Sequence, residues 1–224
     1  MAVRPEVIPF LAAALAAGAF LALILRRFAP CRHGARGVGA VFVAVLAGFM
    51  LFFFRDPERA SPSDARAIVA GADGRVTSVT DLHEPRFLKT DAVRISIRLS
   101  LLDVHVNRAP IAGQVRDVRY VRGKRFFTYR EKSSEYNQRN SIYIVGDRTS
   151  CLVNQITGPW VRRVVCWRDA GQPVARGDRI GMMKFGSRLD MYFPRDQVEV
   201  TIRAGEKVRA GESVVARLRT AEGP

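Results

Sequence analysis

Hydrophobic and polar positions follow two different rhythms along this chain. Residues 7–25 (VIPFLAAALAAGAFLALIL) run nineteen positions without a charge, and residues 37–54 (GVGAVFVAVLAGFMLFFF) run eighteen more. At 1.5 Å per residue each stretch makes a helix of about 27–28 Å, close to the hydrocarbon thickness of a bilayer. Between them lies RRFAPCRHGAR (26–36), with four arginines and no acid. A cleaved signal peptide fits poorly, because a second apolar stretch follows without a clear small-residue cleavage site. The pattern predicts a two-helix membrane anchor over 1–58. The positive-inside rule puts the arginine loop in the cytoplasm and the remainder outside, if both helices span. A hairpin dipping into one leaflet, or retention of a basic domain, gives the opposite topology, and the domain is placed here on the cytoplasmic face of the cell membrane.

After Phe54 the segment RDPERASPSDARA reads as a linker by its Pro, Ser and charge. The rhythm then changes to short alternating runs rich in β-branched residues. Strands are predicted at 74–79, 93–99, 113–120, 141–145, 150–156, 161–167, 179–183, 190–193, 199–203 and 213–217, separated by Gly, Asp, Asn and Pro. No long stretch with a 3.6-residue period intervenes, so 59–224 is predicted to be a mainly β domain, a barrel or sandwich. An internal repeat sharpens this. Ala170-Gly-Gln-Pro-Val174-Ala-Arg-Gly177-Asp178-Arg-Ile180 matches Ala204-Gly-Glu-Lys-Val208-Arg-Ala-Gly211-Glu212-Ser-Val214. It resembles the half-motif of lipoyl- and biotinyl-type barrels, and by itself carries no function.

Composition narrows the class. With 48% hydrophobic and 25% charged residues the chain is neither disordered nor a multi-span membrane protein. Lys and Arg number 36 against 21 Asp and Glu, a net +15. The excess is +3 in 1–58, +11 in 59–186 and +1 in 187–224. Such charge needs an anionic partner, nucleic acid or an acidic membrane surface. Residues 116–130 interleave bases with aromatics, and beside a membrane anchor that favours lipid headgroups over nucleic acid. Cys31, Cys151 and Cys166 form no CxxC pair, which argues against a zinc site or a disulfide framework.

Few residues suit catalysis. His33 lies in the arginine loop and His83 in an expected exposed turn. His105 sits in a polar cluster, SLLDVHVNRAP (100–110), directly after an apolar strand. Asp73, in an Asp-Gly pair, suits a turn as well as a site. Gly186-Ser187 is a common turn pair, and no G-x-S-x-G elbow, phosphate loop, dinucleotide fingerprint or HExxH is present.

Taken in order, FFRDPER (53–59), ADGRV (72–76), SLLDVHVNRAPIAG (100–113), NQRNSIYI (137–144), QITGPWVRR (155–163) and RGDRIGMMKFGSRLDMYFP (176–194) resemble the short-form phosphatidylserine decarboxylases. The resemblance covers roughly residues 45–205. It implies a proenzyme that cuts itself between Gly186 and Ser187, leaving a heterodimer of two chains and a pyruvoyl group made from Ser187. Ser187 would attack the Gly186 carbonyl, and elimination and hydrolysis would follow. The pyruvoyl carbonyl would take the amine of phosphatidylserine as a Schiff base and act as electron sink for loss of CO2. His105 is the candidate proton donor and carboxylate holder; for self-processing, either His105 serves that step too, with Asp73 orienting it, or another group does.

One position departs from the family. Longer members carry a second histidine, part of a processing triad, where this chain has Arg108, and arginine stays protonated. Arg108 is therefore expected only to bind or orient an anion. Gln155, Arg162 and Arg163 are expected to hold substrate phosphate. The alternative from another class is a lipoyl- or biotinyl-like membrane adaptor or carrier with Lys184 as the modified residue.

Overall fold

The computed structural model describes residues 2–28, 32–124, 126–128, 133–158, 164–184 and 187–220. The chain forms two compact units, Met1–Glu58 and Arg59–Pro224. In the first, β1 (Ala2–Val3) pairs antiparallel with β2 (Arg55–Asp56), and α1 (Ile8–Phe28) packs on α2 (Arg32–Phe53). The helices approach closely at glycines: a Cβ on Gly39 would lie 3.1 Å from that of Ala22. Pro5–Leu25 is long and apolar enough to cross a membrane, whereas the apolar part of α2, Gly37–Phe53, is shorter. Arg32 and Arg36 are spent on the first turns of α2, so its apolar length falls below that of α1.

The second unit is mainly β. Its strands begin with β3 (Ala67–Val69), β4 (Gly74–Glu84), β5 (Thr90–Arg98), β6 (Val106–Arg108) and β7 (Gly113–Val121). A short helix α3 (Ser133–Tyr136) precedes β8 (Arg139–Val145), β9 (Ser150–Ile156), β10 (Val165–Cys166), β11 (Pro173–Val174) and β12 (Arg179–Met182). The chain closes with β13 (Arg188–Pro194), β14 (Val198–Val200), β15 (Lys207–Val208) and β16 (Val214–Leu218). Eight strands form one curled antiparallel sheet in the order β11-β7-β8-β9-β13-β5-β4-β15. Two three-stranded sheets, β10-β12-β6 and β14-β16-β3, complete the unit.

Alternation decides which face is core. On β13, Leu189, Met191 and Phe193 join Val93, Ile95, Ile97, Ile142, Ile144 and Val153 in the apolar core. Arg188, Asp190 and Tyr192 point to the other face, yet every residue of β13 is buried. There Arg188 Nε donates to Asp190 Oδ1 at 2.7 Å, and its guanidinium also donates to Ser96 Oγ at 2.6 Å. Two expectations need correction. His83 is not in a turn but on β4, exposed and 3.0 Å from Asp91. The predicted linker ends in β3, whose buried Ala67, Ile68 and Val69 are drawn into a sheet by β16.

Candidate active site

The short strand β6 brings the histidine motif beside the serine motif. It pairs antiparallel with β12, setting Asn107 opposite Gly181 and Val106 opposite Met182. The ladder continues one step further, where Met183 N donates to the His105 carbonyl at 3.1 Å. Ser187 Oγ donates to the Lys184 carbonyl at 3.3 Å, and the Ser187 carbonyl accepts from Leu99 N at 3.1 Å, which leads into β13. His105 and Ser187 are thus bonded to the consecutive residues Met183 and Lys184, and both are fully buried. Gly186 lies outside the described residues, as do Arg162 and Arg163.

Hydrogen bonding fixes the imidazole. Nδ1 lies 2.9 Å from the Asp103 carbonyl oxygen, which can only accept, so Nδ1 carries the proton. Nε2 is then the basic nitrogen of the neutral ring. Asp73, expected to orient this ring, is engaged elsewhere. Both of its oxygens meet the Arg59 guanidinium, Oδ2 at 2.8 Å from one terminal nitrogen and Oδ1 against the other. Its Oδ1 also accepts from Ala210 N at 2.8 Å.

Arg108 is 4% exposed and lodges where the two copies of the repeat meet. Its guanidinium donates to the Gly177 carbonyl at 2.8 Å, and a Cβ on Gly211 would lie 2.8 Å from its Cδ. Gly177 and Gly211 are equivalent positions of the repeat, and both have positive φ, 86° and 78°. The cation that replaces the second histidine is therefore held by backbone oxygen.

Gln155 is fully buried and occupied at both ends of its amide. Asn140 Nδ2 donates to Gln155 Oε1 at 3.1 Å, and Gln155 Nε2 donates to Asn107 Oδ1 at 2.8 Å. This relay ties β8 and β9 of the large sheet to β6, two residues from His105. Gly181 leaves room for it: a Cβ there would stand 2.7 Å from Gln155 Nε2 and 2.4 Å from the Val165 carbonyl oxygen. Arg59, Asn107 and Asn140 were not singled out from the sequence. All three stand inside recognised motifs, Arg59 at the end of FFRDPER, but the asparagines' common partner lies 48 and 15 residues away and that of Arg59 14 residues away. A surface cleft lined by Ser61, Ile68, Ile111, Arg148 and Arg176 contains none of these residues.

The comparisons with known proteins agree on one family. The profile of the phosphatidylserine decarboxylases matches residues 46–216. A phosphatidylserine decarboxylase proenzyme of Carboxydothermus hydrogenoformans is 43% identical over 179 residues, 80% of this chain and 84% of that protein. The protein of the same name from Symbiobacterium thermophilum is 42% identical over 182 residues, 81% and 84% of the two chains. That from Citrifermentans bemidjiense is 39% identical over 211 residues, 94% of each chain. A buried histidine and a buried serine bonded to consecutive residues, on a chain so matched, lead to one conclusion: the chain belongs to the phosphatidylserine decarboxylase family.

Proposed function

We propose that the activity of this family, release of CO2 from phosphatidylserine to leave phosphatidylethanolamine, is carried here by residue 187 after the chain cuts itself between Gly186 and Ser187. The enzyme is a carboxy-lyase. The observation that carries the reading is the burial of Ser187, its hydroxyl held by the Lys184 carbonyl, next to Met183, whose N–H donates to the carbonyl of the equally buried His105. That bond orients Oγ without removing its lone pairs. Oγ adds to the Gly186 carbonyl carbon and the peptide C–N bond breaks, its nitrogen taking the hydroxyl proton. A base then removes the α-proton of residue 187, and the Cβ–Oγ bond breaks to release residues 1–186 as a carboxylate. Water replaces the remaining nitrogen, which leaves as ammonia. Nε2 of His105 is the nitrogen of the ring left free to accept a proton, and it suits the proton-removing role that Arg108 cannot fill.

A pyruvoyl group fits position 187, because its three carbons are those of the serine, a keto oxygen from water stands where the nitrogen was, and the surroundings are already packed around them. When present it supplies an electron-poor carbonyl that draws off the electron pair left by departing CO2. His105 holds the substrate carboxylate and then returns a proton to the carbon that lost it. Asp73 acts through Arg59 and the 210 backbone rather than on the ring. Gln155 positions Asn107, and Arg108 clamps the two repeat turns, the part of the fold we read as lipoyl-like. Arg162 and Arg163 are assigned to the substrate phosphate from their motif. The first helix anchors the chain in the cell membrane, with the domain on its cytoplasmic, anionic face. The carrier alternative has no support: Lys184 is half-buried and its carbonyl serves Ser187.

Intact-mass measurement of the purified protein tests the proposal. With 224 residues and a cut after 186, the smaller product has 38 residues and begins at a blocked position 187 that resists Edman degradation. A single full-length chain under conditions that support decarboxylation refutes it.

A further inference from the structure

We infer that the end of β5 and the turn after it form a bilayer-docking rim, fitted to an anionic lipid surface and placed to hand headgroups to His105. The inference rests on the decarboxylase reading and adds where the domain meets its lipid. Two leucines mark the rim: Leu101 is 48% and Leu102 67% exposed. Single exposed leucines need no explanation, but these are adjacent and cannot fold back. Asp103 closes their turn twice, its N–H donating to the Ser100 carbonyl at 3.1 Å and its carboxylate accepting from Ser100 N at 2.7 Å. The carbonyl of the same Asp103 holds His105 Nδ1. An exposed apolar tip is thus joined through one residue to the buried imidazole.

Charge identifies what the tip meets. Arg98 ends β5, and across the sheet it faces Arg75, which in turn faces Lys207. Directly paired residues share a face, so three cations stand in one exposed row. None of the three has a carboxylate partner among the described residues. Like charges set opposite one another repel; Arg75 donates to the Gly205 carbonyl, but no carboxylate offsets the row, which an external anion would favour. By contrast Arg119, in the basic stretch noted from the sequence, is ion-paired with Asp117 at 3.1 Å. Two leucines are too small a patch for a stable protein interface of about 1,000 Å² or more. An apolar tip beside a cationic row instead matches insertion at the headgroup boundary of an anionic bilayer. The substrate itself is such a lipid, and its headgroup must leave the interface to reach residues as buried as His105 and Ser187.

The test uses the full-length protein reconstituted in phosphatidylcholine vesicles containing phosphatidylserine, against a short-chain phosphatidylserine kept below its micellar concentration. Two double variants are compared with the parent, Leu101→Ser with Leu102→Ser, and Arg98→Gln with Lys207→Gln. Intact mass first establishes that each is cut. At about fivefold per basic residue near an anionic surface, the charge variant should lose tenfold or more on vesicles. The leucine variant should lose at least as much, and both should keep the parent's rate on the soluble lipid. A third variant, Leu102→Trp, should be quenched by brominated acyl chains. Undiminished rates on vesicles, equal losses on both substrates, or an unquenched tryptophan would overturn the docking rim. A parent that converts neither lipid would overturn the decarboxylase reading instead.

Discussion

Replacing Gln155 by leucine should unfold the site from within. The side chain is fully buried, accepts from Asn140 at 3.1 Å and donates to Asn107 at 2.8 Å. Leucine has similar volume, so the packing loss is small and the polar loss dominates. It strands a donor on Asn140 and an acceptor on Asn107, and each uncompensated buried group costs about 1–3 kcal/mol. The sum is about 2–6 kcal/mol, a large share of the 5–15 kcal/mol that holds an ordinary domain together. With a urea slope of about 2 kcal/mol/M, the midpoint should fall by about 1–3 M. The measurement is made in a Ser187→Ala background, so that one intact chain unfolds. The informative control is the all-apolar triple, Gln155→Leu with Asn107→Leu and Asn140→Leu. Removing every member of a hydrogen-bonded set leaves nothing stranded, and the triple should recover most of the loss. A shift below about 0.25 M for Gln155→Leu, or a triple no more stable than the single, would refute the reasoning.

Three further outcomes are expected. Asp73→Ala leaves the buried Arg59 guanidinium without its carboxylate and should destabilise the uncut chain by about 3–5 kcal/mol in the same urea assay, whereas Arg59→Met with Asp73→Leu should cost much less. His105→Ala should abolish CO2 release from phosphatidylserine, and persistence of normal turnover would remove His105 from the mechanism. Burial, followed by the Asp190 charge, pushes the Tyr192 phenol up to about 12 from 10.0. The folded state thus favours the neutral ring, so its contribution is fully present below pH 10 and is lost as pH rises through about 12. At about 1.4 kcal/mol per unit, alkaline titration should remove about 2–3 kcal/mol of stability that Tyr192→Phe does not lose.

How much of this was legible depends on the range of each interaction. Strands β4, β5, β7, β8 and β9 announce themselves, because alternation is a local pattern and each is long enough to show it. β13 is legible from the sequence only over 190–193, whereas it runs from Arg188 to Pro194. Its Arg188 looks like the end of a turn, and only the partners Ser96 and Asp190 make a buried arginine acceptable. The strand β3 was hidden in a stretch of Pro, Ser and charge, since its three apolar residues gain meaning only from β16, far along the chain. His105 and Ser187 were visible through contiguous motifs. The fate of Asp73 was not, because Arg59 read as part of a linker. Nor was that of Arg108: a lone arginine in place of a histidine suggests an anion site, and nothing local shows that distant Gly177 offers it a backbone carbonyl.

The place of β13 in the large sheet has a consequence for the life of the protein. It is an inner strand, paired with β5 along Arg188–Pro194 and with β9 along Arg188–Tyr192, and β14, β15 and β16 follow it into two sheets. The proposed cut before Ser187 would leave all of these contacts in place but end the tether between them. Before the cut, the strand finds its slot at the effective concentration of a connected chain. Afterwards the same docking is a second-order encounter between two polypeptides, one of which begins with the strand that belongs at the centre of the other's sheet. Unfolding then becomes a one-way event at cellular dilution, and the durability of the mature enzyme is a lifetime set by its opening rate, with the equilibrium belonging to the precursor alone.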